Sequence, residues 1–206
     1  DFSSLVTYLR QTTGVDSWVG SVGMGVGWQD GAGQSGEAFG RAAAIAMISE
    51  HPTGSYHILP RLCKSTSEIS GDTRGWIVAT NPPLGVIHGD PMNEKVLRLI
   101  EALSTEIENT ALEVPGFLVG GLSSSRGAHY QLAGEVMSGG LSGVLFAPEV
   151  EVATGLTQGY SPVGPAHRIT DCVENVVITL NGESALKVFK NDIKKLMKEL
   201  EKIKSP

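Results

Sequence analysis

Apolar positions along the chain fall into short runs that switch between helical and strand spacing. Phe2, Leu5, Val6 and Leu9 share one face at a period near 3.6, which predicts a helix over 2–12 ended by Gly14. Trp18-Val19-Gly20-Ser21-Val22 predicts a buried strand, with a glycine-dense loop over 23–36 behind it. The run 42–49 fits a strand or a buried helix, because so short an apolar stretch has no decisive period. Strands are predicted over 56–60 and 76–79, with a polar, turn-rich stretch at 64–72 between them and Asn81-Pro82-Pro83 closing the second. Asp90 reads as an N-cap and Pro91 as the first position of a helix over 92–111. Val96, Ile100, Leu103, Ile107 and Ala111 form its apolar face, and Pro115-Gly116 ends it. Further strands are predicted over 117–122, 130–136, 141–147, 150–157 and 175–180. Leu186, Phe189, Ile193, Leu196, Leu200 and Ile203 are spaced 3, 4, 3, 4, 3, which predicts an amphipathic helix over 184–204.

The pattern repeats. Trp18-Val19-Gly20-Ser21-Val22 aligns with Leu118-Val119-Gly120-Gly121-Leu122 at an offset of 100, each after a helix and before a polar, glycine-rich loop. The runs 44–49 and 142–147 then align at an offset of 98. The expected fold is therefore α+β: two related α/β halves, 1–72 and 73–182, share a mixed, largely antiparallel sheet with flanking helices. In that scheme one domain spans 1–206, with the amphipathic helix at 183–206, and the first half lacks a counterpart of the strand at 76–79. That strand would lie ahead of Asp1, and the absence of an initiator Met also reads as a fragment or a processed chain.

Composition changes the picture in three ways. Glycine is 26 of 206 residues without a G-X-Y period, which excludes collagen. Residues 1–182 carry 9 Lys/Arg against 18 Asp/Glu, so the body is no duplex-binding surface, and no nucleic-acid partner is expected. Residues 183–206 carry 7 against 4, and most of these Lys lie off the apolar seam, as on a solvated helix face. No apolar stretch is long enough to span a membrane. Two cysteines, Cys63 and Cys172, make no disulfide framework or zinc knuckle and fit a reducing, cytoplasmic setting.

Candidate chemistry concentrates at the glycine loops. Gly23-Met24-Gly25-Val26-Gly27 follows a strand, yet neither a P-loop Lys-Ser/Thr nor a capped helix comes after it, as phosphate binding would need. Gly121, Ser123, Ser124, Ser125 and Arg126 offer backbone N–H groups, three hydroxyls and a guanidinium at a strand end, either as a simple polar loop or as a carboxylate or phosphate site. The five histidines show no metal-ligand spacing, and His129, close to this loop, is the first to test. A hydrolase or transferase using the same loop, and a structural interaction module, are the other readings. The turn 155–165 presents Tyr160 between glycines and prolines.

Phe117-Leu118-Val119-Gly120-Gly121-Leu122-Ser123-Ser124-Ser125, Ser138-Gly139-Gly140-Leu141-Ser142-Gly143-Val144-Leu145-Phe146, the turn 155–165 and 175–186 together resemble the N-terminal part of the FIST domain, a sensory domain of signal-transduction proteins. The resemblance implies a cytoplasmic module that binds small molecules such as amino acids, without enzymatic activity. It also implies a C-terminal FIST part, or another protein, met through helix 184–204; an oligomer is left open. Ser123, Ser124 and Arg126 would hold an anionic end, with Met24 and Trp28 closing over an apolar part. The family includes haem-binding nitric-oxide sensors, but no His here matches an axial ligand, so no cofactor is carried over. Its frequent Gly-Cys-x-Pro turn reads Gly159-Tyr160-Ser161-Pro162 in this chain, which removes any thiol role there.

Overall fold

A computed structural model describes residues 1–40, 43–108, 116–155 and 162–204, and of 202–204 the backbone alone. The chain divides into two units, Asp1–Val152 and Ala153–Pro206. The fold is α+β, with four α-helices among the described residues and strands in mixed and antiparallel sheets.

In the first unit, α1 (Phe2–Thr13) forms where its apolar spacing predicts it. Asp1 accepts a hydrogen bond from the Ser4 amide at 2.8 Å, and Gly14 closes the helix at φ 69°. Val6 of this helix packs with Trp18 and Leu132 in a small core. β1 (Val19–Ser21) follows. The expected loop over 23–36 is instead a hairpin of β2 (Gly25–Gln29) and β3 (Ser35–Phe39). The Asp30 carboxylate accepts from the amides of Ala32 and Gln34 and so shapes its turn. The strand glycines are explained by what covers them: the Trp28 ring lies over Gly36, where a Cβ would come within 2.8 Å.

The run 43–49 is neither helix nor strand and is solvent-exposed, so both alternatives fail for its described part. β4 (Tyr56–Leu62) is present. The strand expected over 76–79 is the second half of α2 (Gly71–Thr80). Ser70 caps this helix by accepting from the Thr73 amide, Thr73 and Ile77 turn one face inward, and Asn81 at φ 51° ends it. Helical capping and i, i+4 burial outweigh the strand preference of Trp76-Ile77-Val78. The strand itself comes just afterwards as β5 (Leu84–Gly89).

α3 (Val96–Glu108) begins four positions later than expected from 92, and Asp90 is not its N-cap. The Asp90 carboxylate is buried and accepts from Met92 at 2.8 Å and from Gly139 at 2.7 Å, so it ties two loops together. Asn93 takes the helix-entry role, accepting from the Lys95 amide. Positions 109–111 and Pro115 lie outside the described residues. β6 (Phe117–Leu122) matches the expected bounds, and the stretch 130–136 is two strands, β7 (Gln131–Ala133) and β8 (Glu135–Met137), bent at Gly134 with φ 75°. β9 (Leu141–Phe146) completes the unit; within 150–155 no strand forms, and 156–157 lie outside the described residues.

The single shared sheet is divided. β4-β9-β5-β6 forms one four-stranded sheet, β1-β7-β8 a second and β2-β3 a third. β5 and β6 run parallel through the α3 crossover, while the other pairs in that sheet are antiparallel. Leu59, Leu62, Ile77, Leu99, Leu103 and Leu145 are among the residues of the main core between this sheet and α2 and α3.

The second unit pairs β10 (Ile169–Val173), which the apolar pattern did not reveal, with β11 (Val176–Leu180) across a turn at Glu174, φ 52°. The short β12 (Glu183–Ser184) leads into α4 (Ala185–Lys204), which carries the expected seam. Leu186, Phe189 and Leu200 of that seam are exposed. His167 joins the hairpin's end to the helix: its Nδ1 accepts from the Asn181 amide group at 3.0 Å, and its Nε2 lies 2.6 Å from Asp192 Oδ2.

Candidate functional site

β1 and β6 end in the same neighbourhood, and their glycine loops are bonded to one another. The Ser124 amide donates to the Val22 carbonyl at 3.2 Å, and the Met24 amide donates to Ser124 Oγ at 3.0 Å. The Val22 amide in turn donates to the Tyr130 carbonyl at 3.0 Å, which anchors the first loop to the approach of β7. Beside these bonds lies an open cleft of about 240 Å³ lined by Gly23, Met24, Gly40, Ser125 and Arg126.

The three consecutive serines have separate surroundings. Ser123 is buried at 3% exposure; its amide and hydroxyl both donate to the Gly89 carbonyl, at 2.8 and 3.2 Å. It locks the end of β6 onto β5 and turns no hydroxyl to the cleft. Ser124 joins the two loops, and Ser125 Oγ accepts from the Gly127 amide at 3.0 Å, a local turn that presents Arg126. Arg126 is exposed and forms no ion pair among the described residues, so its guanidinium is available to an anion. His129 Nδ1 lies 3.2 Å from the Ser123 carbonyl and braces the loop from behind. The arrangement offers hydrogen-bond donors and a positive charge. No serine hydroxyl of this loop meets a histidine ring, so the geometry supplies binding groups without an assembled nucleophile and base.

Gly121 and Trp28 do not line the cleft. Gly121 lines a different groove, with Leu97 and Ile100 of α3. Trp28 sits on the hairpin over Gly36, and does not line the cleft. Tyr160 lies outside the described residues. Gly23, which does line the cleft, was legible only as a member of the glycine-rich stretch 23–36, and Gly40, which lines it too, lies beyond that stretch.

Other histidines occupy structural positions. His57 stacks on Trp76 with ring centroids 5.3 Å apart, and its Nε2 is 3.0 Å from Thr73 Oγ1. Burial lowers its pKa, partly countered by the nearby Asp72 charge. Burial alone lowers that of His88 on β5. His51 meets Ser49 Oγ at 2.8 Å in an apolar pocket of about 220 Å³. That volume is below the roughly 300 Å³ at which sites for larger ligands begin. No three metal-ligating side chains cluster among the described residues, and no described helix is long and apolar enough to cross a membrane.

No curated protein and no solved structure matches the chain. The FIST N domain matches residues 1–183, nearly nine-tenths of the sequence and all of the loops that build the cleft, and the chain belongs to that family.

Proposed function

We propose that this chain is a cytoplasmic sensory module that binds a small anionic metabolite, such as an amino acid, in the cleft between its two glycine loops. FIST domains are linked as a family to sensory and signalling roles. The observation that carries the finer reading is the Met24–Ser124 bond, which joins loops 100 residues apart beside Arg126, whose guanidinium has no ion-pair partner among the described residues. A carboxylate accepts from the guanidinium, and the glycines let it approach the backbone closely. Met24, half exposed at the rim, covers an apolar part of the ligand. Both cysteines are free, in keeping with a reducing compartment. The open apolar seam of α4 supports a contact with a C-terminal FIST part or another protein as the route of output.

A thermal-shift screen of amino acids and small carboxylates tests the reading. The active ligand raises the melting temperature, and Arg126→Ala weakens its binding by about 1.5–3 kcal/mol, roughly ten- to 150-fold. A shift that Arg126→Ala leaves untouched, or no shift with any compound, overturns it.

A further inference from the structure

The strands β4 and β9 of the main sheet have two faces, and only one of them meets the helices. Leu59 and Leu145 point into the core with α2 and α3. Tyr56, Ile58, Val144 and Phe146 alternate with them and share the opposite face, where Tyr56 pairs with Phe146 and Ile58 with Val144. Trp18 and Met47 to His51 stand over these four, and between the two layers lies the pocket of about 220 Å³. An apolar cavity of roughly 150 Å³ already takes benzene. The space therefore suits one aromatic ring system with a small substituent.

The lining sets the chemistry of the occupant. It holds no Lys, Arg, Asp or Glu, so a charged molecule would be desolvated there without a counter-ion. Trp18 and Val144 are buried, and the Trp18 ring N–H is spent on the Val15 carbonyl at 2.8 Å, which leaves its ring as apolar wall. One polar handle remains. His51 makes edge contacts with Phe146 and Tyr56, ring centroids 5.7 and 6.2 Å away, and its Nε2 lies 2.8 Å from Ser49 Oγ. Its Nδ1 forms no hydrogen bond among the described residues. In a neutral ring Nδ1 accepts if Nε2–H donates to Ser49, and donates if the Ser49 hydroxyl donates to Nε2. No described carboxylate holds the far side of the ring, so the pair is a binding handle and not a nucleophile with an oriented base.

We propose that this pocket is a second ligand site, selective for a small neutral aromatic compound with one hydrogen-bonding group, of the phenol or indole class. The aromatic body fills the space between Trp18 and the β4–β9 face, and its hydroxyl or N–H meets His51 Nδ1. Met47 and Ile48, 88% and 55% exposed on a segment without regular structure, gain apolar surface to bury against once the ligand is present. The site shares no lining residue with the glycine-loop cleft, and it selects against the anions that Arg126 would attract.

Calorimetric titration of the parent and Arg126→Ala proteins with phenol, indole, toluene and benzoate tests the assignment. Phenol and indole should bind both proteins equally, with dissociation constants below about 1 mM, within reach of ligands this small. With the anion site removed by Arg126→Ala, benzoate should bind at least about tenfold more weakly than phenol. Ile48→Trp fills the pocket from its exposed side and should weaken phenol, indole and toluene at least about tenfold. His51→Phe keeps a ring at that place and removes the nitrogens. It should cost phenol and indole about fivefold, one hydrogen bond, and leave toluene unchanged. Absence of phenol and indole binding, benzoate binding as tight as phenol in Arg126→Ala, or affinity indifferent to Ile48→Trp overturns the proposal. Loss of phenol binding in Arg126→Ala moves the ligand to the cleft and also overturns it. An equal loss of toluene and phenol in His51→Phe makes the ring a packing element and overturns the polar handle.

Discussion

At the end of β6 successive side chains turn to opposite sides, and Ser123, Ser124 and Ser125 follow that alternation into different tasks. Ser123 is sealed against the Gly89 carbonyl, Ser124 reaches the other loop, and Ser125 shapes the turn before Arg126. Ser123→Ala should therefore cost about 1 kcal/mol of stability, the worth of one hydroxyl bond, and leave ligand affinity unchanged. Denaturant unfolding paired with a binding titration separates the two effects. Gly120 is under tighter control. Its φ is +139°, and a Cβ there would run into the Ile87 carbonyl on the adjacent strand. Gly120→Ala should destabilise the protein by at least about 3 kcal/mol, because backbone strain and a backbone clash add. A midpoint in denaturant close to that of the parent would contradict this account.

Among the elements, the helices that came through from the apolar pattern, α1 and α4, carry their apolar residues at even helical spacing, and their positions follow from it. β6 and β9 came through on the short apolar runs Phe117-Leu118-Val119 and Val144-Leu145-Phe146. β5 is the central strand of the main sheet, yet Gly85, His88 and Gly89 break its run. Its glycines are there because Leu118 and Leu145 press on Gly85, and Val96 and Leu122 on Gly89, which no local pattern records. α2 shows the reverse case, a strand-like Trp76-Ile77-Val78 held helical by caps at both ends. Ser70→Ala removes the N-cap and one member of the Ser70–Thr73–His57 chain, and should cost about 1 kcal/mol. Amides of the first turn of α2 should exchange faster in that variant, with α3 unaffected. The cleft was legible to the same degree: the offset of 100 paired the two loops, but which serine faces inward depends on the register of β5 against β6.

On the scale of the whole molecule, acid acts through two separate routes that can be told apart. His57 and His88 both have lowered pKa values in the folded state, chiefly through burial. In the unfolded chain they take up protons near pH 6.5, while in the folded protein they stay neutral to a lower pH. Between those two values the unfolded state binds more protons, so stability falls as pH drops through that window and is fully present above it. Replacing His88 by Gln should flatten the fall in melting temperature between about pH 7 and pH 5, since Gln carries no titrating group. The second route is net charge. The chain carries −6 at neutral pH and has a pI near 5.4, so its self-repulsion vanishes in the same acidic range. Large apolar side chains such as Met47, Phe39 and Leu186 are exposed, and they associate once that repulsion is gone. Light scattering should therefore rise near pH 5.4 in both the parent and His88→Gln proteins, while only the parent loses the full increment of thermal stability. If the substitution removed the scattering as well, protonation of the buried ring and not loss of net charge would govern association.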